Sequence, residues 1–451
     1  SDTLRSQFRE CARASGTIVS ATGDVDRALS QAPLVLDAEY DFPFLAHATM
    51  EPMNCTAHVH SGHCEIVGPL QMPGSCRRAV ADAIHFKPED VTVTPTRIGG
   101  GFGRRLLSDY AVEAAVVSQA IGAPVQVIWT REDDLRHDYY RPAGYSHIRA
   151  GLDRSGRVVA WDHHLVNISR NSYRRASTPP ESTETYGSLA GPLADLDRAY
   201  ELDLTPTAIP NCRLRYSEPK TGVPTGAWRA PAHCANAFAI ETVLDELAVR
   251  SAQDPVALRM QMLGSTRDIP YKGTDPTPYS PDRLKSVLQL AAEKGGWGTP
   301  AAEGRVRGIA CHYTFGSYAA HSVELSVDAE RRVRIHRIVV ALDCGQPVNL
   351  SGLEAQAEGG TIDGLGAAFF GEITIANGRA EQRNFDDYRL IRHVEAPRAI
   401  EVYVVPSRLR PTGFGEIAVP VIAPAVANAI AAATGVRIRQ LPFSRSGFTL
   451  V

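Results

Sequence analysis

Four stretches of this chain hold residue types that can do chemistry. Gly99-Gly-Gly-Phe-Gly-Arg-Arg105 follows a β-rich run and precedes a helical one, so its backbone N–H groups can approach a ligand closely and meet an anion, such as a cofactor phosphate, at a helix start. The spacing is not the G-x-G-x-x-G of a dinucleotide fold, and a tight strand-to-helix turn accounts for the same glycines. Gly413-Phe-Gly-Glu416 puts one carboxylate between glycine-flexed backbone and the apolar run from Ile417 to Ile422. Desolvation there would raise its pKa toward that of a general base, and a helix-capping or salt-bridged Glu is the other reading. Thr225-Gly-Ala-Trp-Arg-Ala-Pro231 sets Arg229 beside Trp228 among small residues, able to hold a carboxylate, carbonyl or phosphate, or to stack on the indole. His58-x-His60-x-x-His63-Cys64 is the most metal-like cluster, since imidazole and thiolate are usual zinc ligands, although no second ligand group of recognised spacing follows. A zinc-binding interaction module built on it is the alternative to an enzyme.

These residues need elements to position them. Val91 to Ile98 reads as a strand, Gly99 to Arg105 as a loop, Ser108 to Ile121 as a helix with Ser108 as N-cap, and Val125 to Thr130 as a strand. A second helix is expected from Ala235 to Arg250, with Phe238, Val243, Leu244 and Leu247 as its apolar stripe. Strands follow at His321 to Val327 and Val333 to Ala341, joined by a turn at Asp328 to Arg332. A closing helix is expected with Pro424 in its first turn and Gly435 just past its end. Residues 1–36, polar and Ala/Ser/Gly-rich, read as a linker arm. Residues 37–263 form a first domain, the Pro/Gly-rich stretch 264–304 a connector around one short helix, and residues 305–451 a second domain.

Composition excludes several classes. At 451 residues the chain exceeds the roughly 250–300 that one core usually serves. With 44% hydrophobic and 22% charged residues it is globular and not disordered. Its 47 Lys+Arg against 50 Asp+Glu leave no electrostatic footprint for nucleic acid or an anionic membrane. Eight cysteines without a C-x-x-C pair exclude a disulfide framework or a zinc ribbon. The apolar stretch from Ile417 to Thr434 is broken by Pro420, Pro424 and Asn428 and reads as a buried turn and helix, not a membrane span. No G-x-S-x-G elbow, Walker A loop or H-E-x-x-H helix occurs, which disfavours the common hydrolases and NTPases.

The order of the motifs is more specific than any one of them. Gln71, Ile98-Gly-Gly-Gly-Phe-Gly103, Gly226-Ala-Trp-Arg229, Ala355-Gln-Ala-Glu-Gly-Gly360 with Gly364-Leu-Gly366, and Gly413-Phe-Gly-Glu416 follow one another in an order that resembles the molybdenum-binding subunit of the xanthine oxidase and aldehyde oxidoreductase family. Phe44-Leu-Ala-His-Ala-Thr-Met-Glu-Pro-Met-Asn-Cys55 is most similar to the isoquinoline 1-oxidoreductase beta-subunit branch. The resemblance implies an α+β fold of two elongated mixed halves with the cofactor between them. It implies molybdenum with molybdopterin, in the cytosine dinucleotide form of bacterial members, the metal being held by the cofactor's dithiolene and by no side chain. By motif match, Glu416 would be the base that takes a proton from the attacking metal-bound hydroxyl. Gln71, Gly101, Phe102, Gly103, Arg104, Gln356 and Gly415 would contact the cofactor. Arg229, Trp228 and Leu106 would belong to the substrate side of the active-site loop, with the cation stabilising charge that develops on the substrate.

Partners follow from the same resemblance. The cysteines lack the C-x₄-C-x₂-C spacing of plant-type clusters, so electrons would leave through a small iron–sulfur subunit, with a cytochrome as a candidate acceptor. The family's glycine-glutamine-glycine cofactor segment is absent, and the chain starts at Ser1, so a larger subunit or a second chain carrying that segment is expected. The compartment expected is bacterial, either periplasmic after export with the partners or cytoplasmic. Two departures narrow the chemistry. Leu106-Leu107 stands where purine-oxidising members carry a carboxylate, and Ala230 where the carbon monoxide dehydrogenases place a copper-binding cysteine, so a purine pocket and a Mo–Cu site are both disfavoured.

Overall fold

The computed structural model describes residues 1–168, 209–219, 221–264, 268 and 279–451. In chain order the strands are β1 (Thr17–Thr22), β2 (Leu34–Phe42), β3 (Asn54–His60), β4 (His63–Gly68), β5 (Val91–Pro95), β6 (Val125–Ile128), β7 (Gly144–Leu152), β8 (Val158–Asn167), β9 (Asn211–Ser217), β10 (Val306–Thr314), β11 (Ser317–Val327), β12 (Arg332–Asp343), β13 (Ile375–Ala376), β14 (Arg379–Ala380), β15 (Ile400–Val404) and β16 (Thr449–Leu450). They form a mixed α+β architecture of three main sheets, ordered β1-β9-β8-β7-β2, β5-β4-β3-β6 and β10-β11-β12-β15, with β16 beside β12 and a small β13-β14 hairpin.

The four-stranded sheet carries the glycine loop. Alternation along β3 and β4 turns Cys55, Ala57, Val59, Cys64 and Ile66 inward, against the helices Pro73–Ile84 and Asp109–Ile121, and leaves the other face to Thr56, His58, His60 and Glu65. β5 pairs parallel with β4 at one edge and β6 antiparallel with β3 at the other, so the helix Asp109–Ile121 spans the sheet and the loop leaves from its edge. Ser108 is the N-cap residue of that helix and Gly122 its left-handed stop, as expected.

The two larger sheets share one core. The helix His233–Arg250 is buried on nearly every side and packs against the helix Val419–Thr434, and the apolar cluster around them runs from Leu36 to Leu450. The expected single stripe on the first helix is therefore too narrow; a helix between two layers buries all round. Its acidic residues are each paired: Glu241 with Arg259 (2.8 Å), Asp245 with Arg437 (2.5 Å), Glu246 with Arg439. Consequently the boundary drawn at 264–304 does not separate two cores. Residues 265–267 and 269–278 of that connector lie outside the described residues, and its short helix is Pro281–Lys294, packed on β11 and β12.

Two further expectations change. Residues 1–36 are not an arm: they form the helix Asp2–Arg13, strand β1, the helix Val25–Gln31 and the start of β2, with Phe8, Val25 and Leu29 buried. A few well-spaced apolar residues in polar text suffice where a sheet edge is available, and β1 takes it beside β9. In the closing helix it is Pro420 that sits in the first turn, while Pro424 lies inside, and Gly435 ends it at φ 74°. Among the described residues no helix is long and apolar enough to cross a membrane.

Candidate functional site

The glycine loop is fixed from below. Glu51 accepts from the Gly99 N–H (2.7 Å), and the fully buried Arg105 donates to the Gly100 carbonyl (2.7 Å) and to the Glu51 carbonyl (2.7 Å) and carboxylate (3.1 Å). Gly103 (φ 109°) lies so close to the Trp228 loop that a Cβ would sit 1.6 Å from the Ala227 carbonyl oxygen, so only glycine fits. Phe102 takes φ 52°, its carbonyl held by the Arg229 N–H at 2.8 Å. Among the described residues the N–H groups of Gly100, Gly101, Phe102 and Gly103 donate to nothing inside the protein. The exposed Gln71 amide lies over this row: a Cβ on Gly101 would be 2.7 Å from its Oε1.

Arg229 gathers the other segments. Its Nε donates to the Gly415 carbonyl (2.8 Å), Nη1 to Asp363 (2.5 Å) and Nη2 to the Gln356 side-chain oxygen (2.9 Å), while the guanidinium carbon stands 5.9 Å from the centre of the Phe102 ring. The helix Leu350–Phe369 delivers Gln356 and Asp363 because Gly364 lets it touch the helix Val419–Thr434; a Cβ there would be 2.5 Å from Ile422 and 2.7 Å from the Val419 carbonyl. All three guanidinium nitrogens are thus engaged by protein oxygens. Arg229 ties the site together and is not a free cation aimed at substrate, and its neighbour Trp228 is covered by Arg141 (5.8 Å) instead.

Glu416 ends the constellation. It lies in the bend before the helix Val419–Thr434, half-buried, and among the described residues its carboxylate has no hydrogen-bond or ion-pair partner. It neither caps a helix nor closes a salt bridge. Burial pushes its pKa above the ordinary carboxylate value, and Arg229 opposes the rise. The loop before it is tethered by the buried Ser317, whose hydroxyl donates to the Gly413 carbonyl (2.5 Å) and contacts the Thr412 hydroxyl (2.6 Å).

Some residues were missed and some misplaced. His47, Asp138, Glu51, Arg105, Asp363 and Ser317 were not singled out. His47 and Asp138 are buried together: both Asp138 oxygens face His47, with its Nδ1 at 2.9 Å and its backbone N–H at 2.6 Å, and His47 Nε2 is 2.9 Å from the Ala227 carbonyl. Burial alone would raise the Asp138 carboxyl, but His47 and Arg104 hold it below the ordinary range. A histidine in the quoted Phe44–Cys55 phrase was the available signal; Asp138 had none among the charges around it.

Arg104, expected at the cofactor, turns inward. It grips Asp109 with both terminal nitrogens (2.8 and 2.7 Å) and stands 3.2 Å from Asp138, sandwiched among Tyr110, Trp129 and Tyr139. The loop therefore offers backbone donors, not a cation. Leu106 is partly buried beside it.

The metal-like cluster also comes apart. Cys64 faces the core, its thiol pushed up to about 11 by burial, and His63 lies 3.1 Å from Thr92. His58 and His60 converge with Glu65 on the outer face, but the four-residue zinc centre does not form, because strand alternation sends Cys64 to the opposite side.

Comparison with known proteins adds a family. Residues 11–263 and residues 288–397 each match a family model described as a molybdopterin cofactor-binding domain. Isoquinoline 1-oxidoreductase subunit beta of Brevundimonas diminuta is 29% identical, covering 88% of this chain and 48% of its own. A membrane-bound aldehyde dehydrogenase of Gluconacetobacter polyoxogenes, whose name carries pyrroloquinoline quinone, is 28% identical over 95% of this chain and 56% of its own. The chain thus spans about half the length of these relatives. Among solved structures, the aldehyde oxidoreductase of Desulfovibrio gigas (TM-score 0.75, 16% identity, 94% of this chain and 62% of that one) and quinoline 2-oxidoreductase of Pseudomonas putida 86 (TM-score 0.75, 14% identity, 95% and 78%) share the fold.

Proposed function

Because the chain belongs to the molybdopterin cofactor-binding family, matched from residue 11 to 263 and again from 288 to 397, we propose that it is the molybdenum-binding part of an oxidoreductase that hydroxylates an N-heteroaromatic compound or oxidises an aldehyde, with water as oxygen source. The observation that carries the proposal is Glu416: a half-buried carboxylate without a partner among the described residues, on a loop that Arg229 ties to the row of unused N–H donors.

The residues fit the cofactor. An anionic, polar-edged group needs donors, and Gly100 to Gly103, the Gln71 amide and the Gln356 amide nitrogen supply them around Gly415, where a Cβ would meet only Gln356, at 3.8 Å. When bound, the molybdenum centre supplies the two-electron acceptor for the oxidation. The protein's part is orientation and proton transfer. Glu416 Oε takes the proton of the attacking, water-derived oxygen, and its raised pKa keeps it strong enough as a base to do so. Arg229 fixes the distance between the Glu416 loop and Gln356. Leu106, partly buried beside the glycine loop, adds apolar surface, with Trp228 buried behind it, which suits a flat aromatic ring or a simple aldehyde better than a purine.

Electrons would leave to a small iron–sulfur partner and on to a cytochrome, and a chain or segment with a glycine-glutamine-glycine motif would complete the cofactor's envelope; the cytosine dinucleotide form is the one proposed. The test is Glu416→Gln. We expect molybdenum and pterin content to stay at the wild-type level while turnover falls by about 10²–10⁴-fold. Unchanged turnover would overturn the assignment of the base.

A further inference from the structure

A second feature lies behind the Trp228 loop. A cavity of about 40 Å³ is lined by Phe42, Arg141, Leu165, Trp228, Ala230 and Asn236, among others, and is mostly apolar. That is room for about one to three water-sized groups, and so for the three heavy atoms of a carboxylate. Two of its polar side chains have donors to spare. Arg141 Nη2 donates to the Pro43 carbonyl (3.0 Å), yet among the described residues no carboxylate pairs with this guanidinium. The groups that act on its charge are Cys234 and Tyr388, whose own pKa values are raised by burial, so both are neutral. Asn236, 2% exposed in the first turn of the helix His233–Arg250, has an amide nitrogen with no acceptor among the described residues.

Arg141 is half-buried and its guanidinium remains charged, and a charge partly withdrawn from water without a counter-charge is destabilised. A water molecule would satisfy a hydrogen bond but cancel no charge. A planar oxyanion does both, because two oxygens match the fork of Arg141 and one can also accept from an amide. We propose that this cavity is a binding site for a carboxylate group, with Arg141 as its counter-charge and the Asn236 amide as a second donor.

Two sources share that chemistry. One is a free small carboxylate such as formate. The other, which rests on the functional reading above, is the carboxylate of an aromatic acid substrate. The segment Gly226 to Ala232, which bears Arg229, forms part of the cavity lining, and Arg229 in turn holds the loop of Glu416 through the Gly415 carbonyl, so the site lies one segment away from the candidate base.

The test titrates formate into the full chain, followed by calorimetry and by the unfolding midpoint, with ionic strength balanced by gluconate, whose polyhydroxylated chain does not suit the mostly apolar lining. Wild type should show saturable binding and a rise in midpoint. Asn236→Leu should weaken binding by about tenfold and Arg141→Met should abolish it. Should Arg141→Met fail to fold, Asn236→Leu keeps the decision open to measurement. Formate acting no differently from gluconate, or equally on Asn236→Leu, would overturn the proposal and leave water as the occupant. Benzoate displacing formate, where benzamide does not, assigns the site to a substrate carboxylate; formate undisturbed by benzoate assigns it to a free anion. Glu416→Gln should bind formate at least as tightly as wild type does, so failure of the catalytic reading and failure of this one are separable.

Discussion

The Arg229 guanidinium and the Gly415 carbonyl, 186 residues apart in the chain, are joined by a hydrogen bond of 2.8 Å. The same side chain holds Asp363 and Gln356, so one planar fork adds to the helix packing at Gly364 in setting the spacing of the three segments. Arg229→Lys keeps the charge and loses the fork. We expect kcat to fall by about tenfold or more with KM little changed, and cofactor content to drop only partly. Wild-type kinetics would mean that the fork is dispensable.

The neighbouring charges set a sign that pH profiles can read. Glu416 must be ionised to accept a proton, and burial raises its pKa while Arg229 lowers it. Activity should therefore fall on the acid side through a pKa above the ordinary carboxylate value of about 4.3. Asp363 partly cancels the field of Arg229. Asp363→Asn should move the acid limb down in pH, and Arg229→Gln should move it up. Shifts in the same direction for both variants would refute this electrostatic arrangement.

Gly103 and Ala227 are in contact without room for one more carbon. Gly103→Ala forces its Cβ against a backbone oxygen and adds strain at φ 109°. The expected outcome is destabilisation of about 2–4 kcal/mol together with lost cofactor binding, since the same loop bears the free donors. Urea unfolding with metal analysis checks both. Gly74→Ala, where a Cβ meets nothing within 4 Å, is the control and should leave cofactor binding intact.

Much of this arrangement is legible in the amino-acid sequence. Glycines that admit close approach, an acid before an apolar run and an arginine in small-residue text leave local marks, so Gly103, Glu416 and Arg229 stood out one by one. What Arg229 does could not be read, because its partners come from segments more than a hundred residues away. Arg104 shows the converse: beside a glycine loop it looks like a phosphate ligand, and only the placement of Asp109 and Asp138 turns it inward. The first 36 residues failed for another reason. Their text is weakly patterned, and their helices and strand owe their order to a sheet edge and a core supplied from elsewhere.

The His47 and Asp138 pair gives a prediction about positioning. With both ring nitrogens facing oxygens, His47 braces the Ala227 carbonyl against which Gly103 packs. His47→Gln can keep one contact at most. Turnover should fall severalfold while the acid limb set by Glu416 stays where it is, because the pair lies apart from that carboxylate; a moved limb would instead make His47 part of the proton path.

Stability should depend on His321. It lies in β11 with 0% exposure, both ring nitrogens lack a partner among the described residues, and burial pushes its pKa down from 6.5 to about 3. The unfolded chain therefore binds a proton between those values that the folded chain refuses. Stability from this group is complete above pH 6.5 and is lost as pH falls toward 3, by about 1.4 kcal/mol per unit. His163 and His164, lowered to about 3 and about 4, act in the same direction, so total acid sensitivity alone cannot isolate it. His321→Leu can, because leucine has similar volume and no proton to take. Relative to wild type, the variant should gain about 2 kcal/mol between pH 8 and pH 5, measured by urea unfolding at each pH. A constant difference across that range would mean that His321 takes up its proton equally in the folded and the unfolded chain.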